Sequence, residues 1–215
     1  MEYNGNETSE KITTTDNSLR GLGENRVIFI DSEGEIQFNY EKTKLVPGLE
    51  DEEYIAGNGI IPNVSIELSN GNQVKLAAVI CMDSNYVGYI RDGVKSDTEI
   101  LLAPSWDWKP IDDYHNRWVI YRSVENGFST TRSTYDGYTT AIDPYGRVLM
   151  TSHTDNTGYE NVVFSDVPIM RVHTLYSKIG FVIDWCYLLG LVLVVVGGIV
   201  SKGIRRRLMN ARARR

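Results

Sequence analysis

Two cysteines supply the thiols of this 215-residue chain, and their settings differ. Cys81 closes a strand-like apolar run, VICMD at 79–83, whereas Cys186 lies inside the apolar run 181–200. Two thiols in a domain of this size argue for one buried and one reactive cysteine rather than a structural bridge. The thiolate is the nucleophilic form, so a working cysteine needs a base or a cation beside it. The chemistry then open to it is attack on an acyl carbonyl to give a thioester. An inert buried thiol is the competing reading of Cys81. His115, His153 and His173 are scattered, and no CxxC or HExxH spacing is present, so neither a metal nor a cofactor is expected. Trp106 and Trp108 follow a short apolar run and read either as the lining of an acyl pocket or as core.

The elements that must position these residues alternate in type. Residues 1–24 are polar and read as a flexible loop. Arg26–Ile30 and Glu35–Tyr40 form a hairpin turned at Asp31–Gly34, and 47–63, with two prolines and three glycines, reads as a long irregular loop. Val64–Leu68 and Val74–Ile80 form a second hairpin around Asn70-Gly71, and Cys81 follows at once. Ser84–Gly93 suits a short helix, Glu99–Ala103 a strand. Asp112–Asn126 suits an amphipathic helix with Trp118, Val119, Tyr121 and Val124 on its apolar face and Gly127 beyond its end. Strands follow within Ser129–Ile142, at Arg147–Thr151 and at Asn161–Phe164. This order predicts an α/β layered sandwich rather than a bundle or a barrel.

Charge is unevenly placed. The net charge is -6, but residues 201–215 carry seven Lys and Arg and no acid, leaving 15 basic against 28 acidic side chains in the rest. An acidic body with a short basic tail excludes nucleic acid as the main partner. From Trp185 to Val200 the chain is uncharged, about 24 Å as a helix, and extension back to Ile179 covers a bilayer core. Trp185 and Tyr187 are placed as interfacial aromatics, and the basic cluster beyond the span marks a cytoplasmic side. The competing reading is a buried core helix. The resulting organisation is 1–24 loop, 25–176 catalytic-type domain, 177–201 transmembrane helix and 202–215 basic cytoplasmic tail. It places the body outside the cytoplasm. Residues 1–25 hold no apolar export signal, so either earlier spans belong to the protein or the helix is a tail anchor with the body inside.

The stretches YEKTKLVPGLE (40–50) and VICMD (79–83) resemble the carbon–nitrogen hydrolases of the nitrilase superfamily, and the LVP stretch resembles the apolipoprotein N-acyltransferase branch. The resemblance continues through LLAPSWDW (101–108), YRSVENGFS (121–129), DGYTTAIDPYGRVL (136–149) and TLYSKIGFVIDW (174–185), covering roughly residues 18–200. It implies an α-β-β-α sandwich, here in part, with a Glu–Lys–Cys triad. Lys42 matches the triad lysine, Glu50 the second active-site glutamate and Cys81 the nucleophile. Glu125 matches a position near the family's site, though a structural role suits it as well. The strand-end cysteine would expose its sulfur and leave the Met82 backbone N–H facing a developing oxyanion, with Lys42 adding positive charge.

The implied function is acyl transfer or amide hydrolysis through a Cys81 thioester, with no cofactor. In the close branch the acyl donor is a phospholipid and the acceptor a lipoprotein amine. Three departures stand against this. No glutamate in a strand-led setting precedes Lys42 to act as general base, Lys44 replaces the family's usual histidine, and Met82-Asp83-Ser84-Asn85 differs from the usual segment after the cysteine. The alternative is an inactive, truncated, membrane-tethered interaction domain. Without a base, general acid–base assistance of about 10²–10⁴-fold would be lost, and slow or no turnover is expected.

Overall fold

The computed structural model describes residues 22–95, 97–154 and 162–212. The chain opens with an antiparallel hairpin of β1 (Arg26–Ile30) and β2 (Ile36–Glu41). A second hairpin, β3 (Asn63–Glu67) and β4 (Gln73–Ala78), leads into a 3-10 turn over Cys81–Asn85 and then α1 (Val87–Gly93). There follow β5 (Ile100–Leu102), β6 (Ser105–Trp106), α2 (Asp112–Asn126), β7 (Ser129–Arg132) and β8 (Thr134–Tyr135). The last elements are β9 (Gly137–Ile142), β10 (Val148–Thr154) and the long α3 (Leu175–Arg212).

Six strands form one sheet in the order β10-β9-β7-β5-β4-β3. Its central pairs, β4 with β5 and β5 with β7, are parallel, and the outer pairs are antiparallel. Parallel neighbours need crossovers, which α1 and α2 provide. Period-two alternation then divides the core. Ala77, Val79 and Leu101 pack with Ile90 of α1 and with Phe128 on the helical face. Ala78, Ile80 and Cys81 turn the other way, onto Phe38 and Tyr40 of the β1–β2 hairpin. This mixed layering of helices, sheet and hairpin is the expected α/β sandwich.

Several local expectations are corrected. The helix expected at Ser84–Gly93 is split, because Asp83 caps a separate turn that already begins at Cys81. On α2, Trp118, Tyr121 and Val124 are largely exposed. The buried face is instead Asp112, His115, Val119, Arg122, Ser123 and Asn126, mostly polar residues that bond one another and the sheet. The strand expected at Asn161–Phe164 is absent from Val162–Phe164, where no neighbouring strand offers a ladder, and Asn161 lies outside the described residues. The loop expected over 1–24 lies mostly outside them too, but Gly23 forms a parallel bridge with Tyr54.

Gly127 fixes how the body meets α3. It ends α2 at φ 75°, and a Cβ there would lie 1.8 Å from the Val172 carbonyl oxygen. Its own carbonyl accepts the Val172 N–H at 2.7 Å. Two residues on, the Thr174 hydroxyl bonds the Glu125 carbonyl, and α3 begins. Interrupted by one non-helical residue at Ile179, the segment Leu175–Gly203 is long and apolar enough to cross a membrane. Only 6% of its most apolar window is buried, so it is not part of the core of the described residues. The helix continues through the basic stretch to Arg212.

Candidate active site

Cys81 stands at the carboxyl end of β4, beside the end of β5, the edge where open α/β sheets gather ligands. Its backbone has φ 47°, a left-handed conformation unusual for a residue with a Cβ. The Cys81 N–H donates to the Pro104 carbonyl at 2.9 Å, so the loop after β5 holds it there. The next N–H, that of Met82, has no hydrogen-bond acceptor among the described residues. Cys81, expected to be open, is 6% exposed, and the Trp106 carbonyl in β6 accepts its S–H at 3.5 Å.

Lys42 follows β2 directly and is 1% exposed. Its ammonium is paired with the carboxylate of Glu50, with 2.6 Å to Oε1 and a second contact to Oε2. The Val46 N–H donates to Glu50 Oε2 at 2.8 Å, fixing the carboxylate inside the turn between them. The two residues implied by the resemblance are thus brought together, Lys42 buried and Glu50 half-buried.

Asp83 joins this limb to the cysteine turn. Its Oδ2 accepts the Tyr40 hydroxyl at 2.7 Å and the Ile80 N–H at 3.0 Å. Its Oδ1 accepts the N–H groups of Lys44 at 2.6 Å and Thr43 at 3.2 Å. Burial pushes this carboxyl up, against the hydrogen bonds from Ile80, Tyr40 and Lys44 and the charge of Lys42. The segment after Cys81, noted as a departure, is therefore what ties the lysine loop to the cysteine turn.

Sequence reasoning missed a second buried group. Ligand atoms of Cys81, Asp107 and His115 all lie within 4.8 Å of one another. His115 Nδ1 is 2.9 Å from Asp107 Oδ1, and Arg132 holds the other Asp107 oxygen at 2.5 Å. Burial opposes charge on His115, but the hydrogen bonds and charges of Asp107 and Cys81 outweigh it and raise its pKa to about 9. The available signal was the spacing His115, Val119, Arg122, Asn126, which puts a polar stripe along one helical face.

The remaining candidates divide. Trp108 packs edge-on against His115 with ring centroids 6.2 Å apart. Trp106 is 67% exposed and meets Tyr135 edge-on. Neither lines the open cleft of about 960 Å³ between β1 and the sheet, which Val27, Phe29, Leu102, Thr131 and Val163 border. Glu125 is at the far end of α2, paired with Arg122 and next to the start of α3, away from the cysteine.

Comparison with known proteins agrees with this architecture. The apolipoprotein N-acyltransferase of Nostoc sp. is 29% identical over 182 residues, covering 75% of this chain and 34% of that protein. The enzyme of the same name from Borreliella burgdorferi is 31% identical over 127 residues, 57% of this chain and 24% of its own. The chain thus spans about a third or less of these relatives' length. The deaminated glutathione amidase of Dictyostelium discoideum is 25% identical over 174 residues, 72% of this chain and 57% of its own. In fold, the amidase of Nesterenkonia sp. AN1 superposes with a TM-score of 0.53 at 20% identity, over 60% of this chain and 52% of that one. Residues 6–174 match the Carbon-nitrogen hydrolase family, and the chain belongs to it.

Proposed function

We propose that this protein transfers acyl groups through a thioester on Cys81 at a membrane surface, with Lys42 and Glu50 as the supporting charged pair. The observation that carries the reading is the Asp83 tie, which fixes the Lys42 loop against the Cys81 turn through bonds to Tyr40, Lys44 and Thr43. In the first half-reaction the thiolate attacks an ester carbonyl, the carbon–oxygen bond breaks, and the alcohol leaves with a proton. In the second, an amine attacks the thioester, loses a proton and releases the thiolate. The Met82 N–H, which has no acceptor among the described residues, would receive the carbonyl oxygen as it becomes negative, and one such donor is worth about 2.7–4 kcal/mol. The similarity to apolipoprotein N-acyltransferases supports a phospholipid donor and a lipoprotein amino-terminal acceptor. The similarity to the glutathione-type amidase supports amide hydrolysis as the related activity. The exposed apolar length of α3 supports a membrane anchor, with the basic end cytoplasmic and the body on the other side.

The buried state of the Cys81 sulfur favours the second reading, an inactive membrane-tethered domain. One experiment separates the two. The full chain in vesicles containing phospholipid with an alkyne-bearing acyl chain should acquire one acyl group, sensitive to neutral hydroxylamine and absent in Cys81→Ala. An unmodified protein, or equal labelling of Cys81→Ala, would leave only the tethered domain.

A further inference from the structure

Lys44, which stands where the family usually has a histidine, gives its backbone N–H to Asp83 and turns its side chain elsewhere. The ammonium lies 5.0 Å from the ring centre of Tyr89 and 5.3 Å from that of Tyr86. Ring faces attract a cation but leave its charge uncancelled. No carboxylate pairs with this ammonium among the described residues. Its position is nevertheless fixed. The Lys44 N–H reaches Asp83 Oδ1 at 2.6 Å, and the Tyr89 hydroxyl donates to Thr43 Oγ1 at 3.0 Å and lies 3.0 Å from the Tyr40 hydroxyl. A half-buried cation is thus held in place without an anion.

The ammonium borders an open pocket of about 500 Å³ beside α1. Tyr86, Tyr89 and Asp92 wall it, while Gly59, Gly88 and Gly93 leave part of its border free of side chains. Asp92 is the one acid on that border, and Arg91 holds its two oxygens at 2.8 and 3.3 Å. With that carboxylate offset, the charge left facing the pocket is the positive charge of Lys44.

The same arginine joins the pocket to the membrane-type helix. A Cβ on Gly88, at the pocket border, would lie 3.8 Å from Arg91 Nη2, and one on Gly180 of α3 would lie 3.3 Å from Arg91 Nη1. One guanidinium therefore reaches from the pocket to α3. Gly180 directly precedes the apolar run that begins at Phe181. Trp185, one turn further and 67% exposed, is an interfacial type of residue. With α3 in a bilayer, the pocket stands at the level of the headgroups. An ammonium is a compact charge that suits phosphate oxygens approached from several directions.

We infer that the Lys44 pocket binds the phosphate of a phospholipid headgroup in the leaflet that α3 enters, giving the body a second hold on the membrane surface. The inference rests on the reading of α3 as a membrane anchor and needs no chemistry at Cys81. The Lys44 ammonium faces the phosphate oxygens, the two tyrosine rings keep it there, and the glycine border leaves room for the alcohol and glycerol that the phosphate carries. A free phosphate offers the same oxygens, but the pocket's place beside the entry of α3 favours the lipid.

The test uses the full chain in dodecyl maltoside micelles, which contain no phosphate, titrated with dioleoyl phosphatidylglycerol and followed by native mass spectrometry. One lipid should bind saturably. In Lys44→Gln its affinity should fall about tenfold, as expected for loss of one charged hydrogen-bond donor, and Lys44→Arg should keep most of it. Dioleoylglycerol, the same lipid without the phosphate, should not compete. Raising the salt several-fold should weaken the phosphatidylglycerol complex of the unaltered chain, a readout that needs no variant to fold. Equal affinity in Lys44→Gln, with circular dichroism showing it folded, or a complex indifferent to salt, would overturn the inference. Displacement of the lipid by inorganic phosphate at the lipid's own concentration would make free phosphate the ligand and overturn the lipid assignment. Alkaline carbonate washing of vesicles tests the anchor separately. Release of the chain into the wash, with Lys44-dependent binding in micelles intact, would retire the anchor reading and leave the phosphate pocket standing.

Discussion

The Tyr40 hydroxyl donates to the Asp83 carboxylate at 2.7 Å, joining strand β2 to the cysteine turn across 43 residues of sequence. That single bond, with the Lys44 and Thr43 amides on the other oxygen, ties the loop of the charged pair to the Cys81 turn. Asp83→Asn keeps the shape but turns an N–H donor towards the Ile80 N–H or the Lys44 N–H, whichever way the amide lies. Leaving a buried group unpaired costs about 1–3 kcal/mol, and the variant should unfold at correspondingly lower denaturant. Acylation of Cys81 should fall further than the stability loss explains, as measured at a temperature where both proteins remain folded.

Glu50→Gln should be the more damaging change. Lys42 is 1% exposed, and removal of its partner leaves a buried charge uncompensated, a loss of about 3–5 kcal/mol. The double variant Lys42→Met, Glu50→Gln should recover much of that stability in chemical denaturation and none of the acylation. Recovery of both would place the pair outside the chemistry.

Stability should also depend on pH through His115. Its pKa rises from 6.5 to about 9 on folding, so the folded state binds this proton more tightly. The contribution is fully present below about 6.5 and is lost as pH rises through 9. Thermal unfolding followed between pH 6 and 10 should show the melting temperature falling across that window, and the fall should be smaller in His115→Gln.

Much of the fold was legible because strands and turns are written locally. Both hairpins, the helix over Asp112–Asn126 and the span ending near Val200 follow from alternation, Asn70-Gly71, Gly127 and an uncharged run. Lys42, Glu50 and Cys81 were legible through resemblance, but the burial of Lys42 and Cys81 was not, since nothing local shows that Asp83 closes the Lys42 loop against the Cys81 turn. His115 was missed for a physical reason. Its partner Asp107 lies 8 residues before it, and Arg132, which holds the other Asp107 oxygen, 17 after it, all joined only when β6, α2 and β7 pack. Apolar periodicity on α2 points to Trp118, Val119, Tyr121 and Val124, of which Val119 alone is buried, and says nothing of the polar stripe that faces in. The strand proposed at Asn161–Phe164 failed because apolar composition specifies no neighbour to pair with.

Gly127→Ala should loosen the junction with α3. The position needs φ 75°, and a methyl group would collide with the Val172 carbonyl. Strain at such a site costs about 1–3 kcal/mol, and the segment that leads into α3 would have to move. Hydrogen exchange should show faster loss of protection at Val172 N–H than at the α2 amides. Equal protection in both proteins would mean that the junction relaxes without opening.

The same junction decides how the molecule meets its surroundings. A body hung on a slack tether would sample every height and tilt above a bilayer. With Val172 bonded to Gly127 and Thr174 bonded to Glu125, α2 and the sheet behind it are carried on the end of α3 with little slack. Anchored in a bilayer, the carboxyl edge of β4 would then be held near one depth and one orientation. Lateral diffusion would then replace a search through volume, and partners confined to the same leaflet would be met over an area, already aligned. Soluble molecules arriving from bulk gain nothing from this mounting.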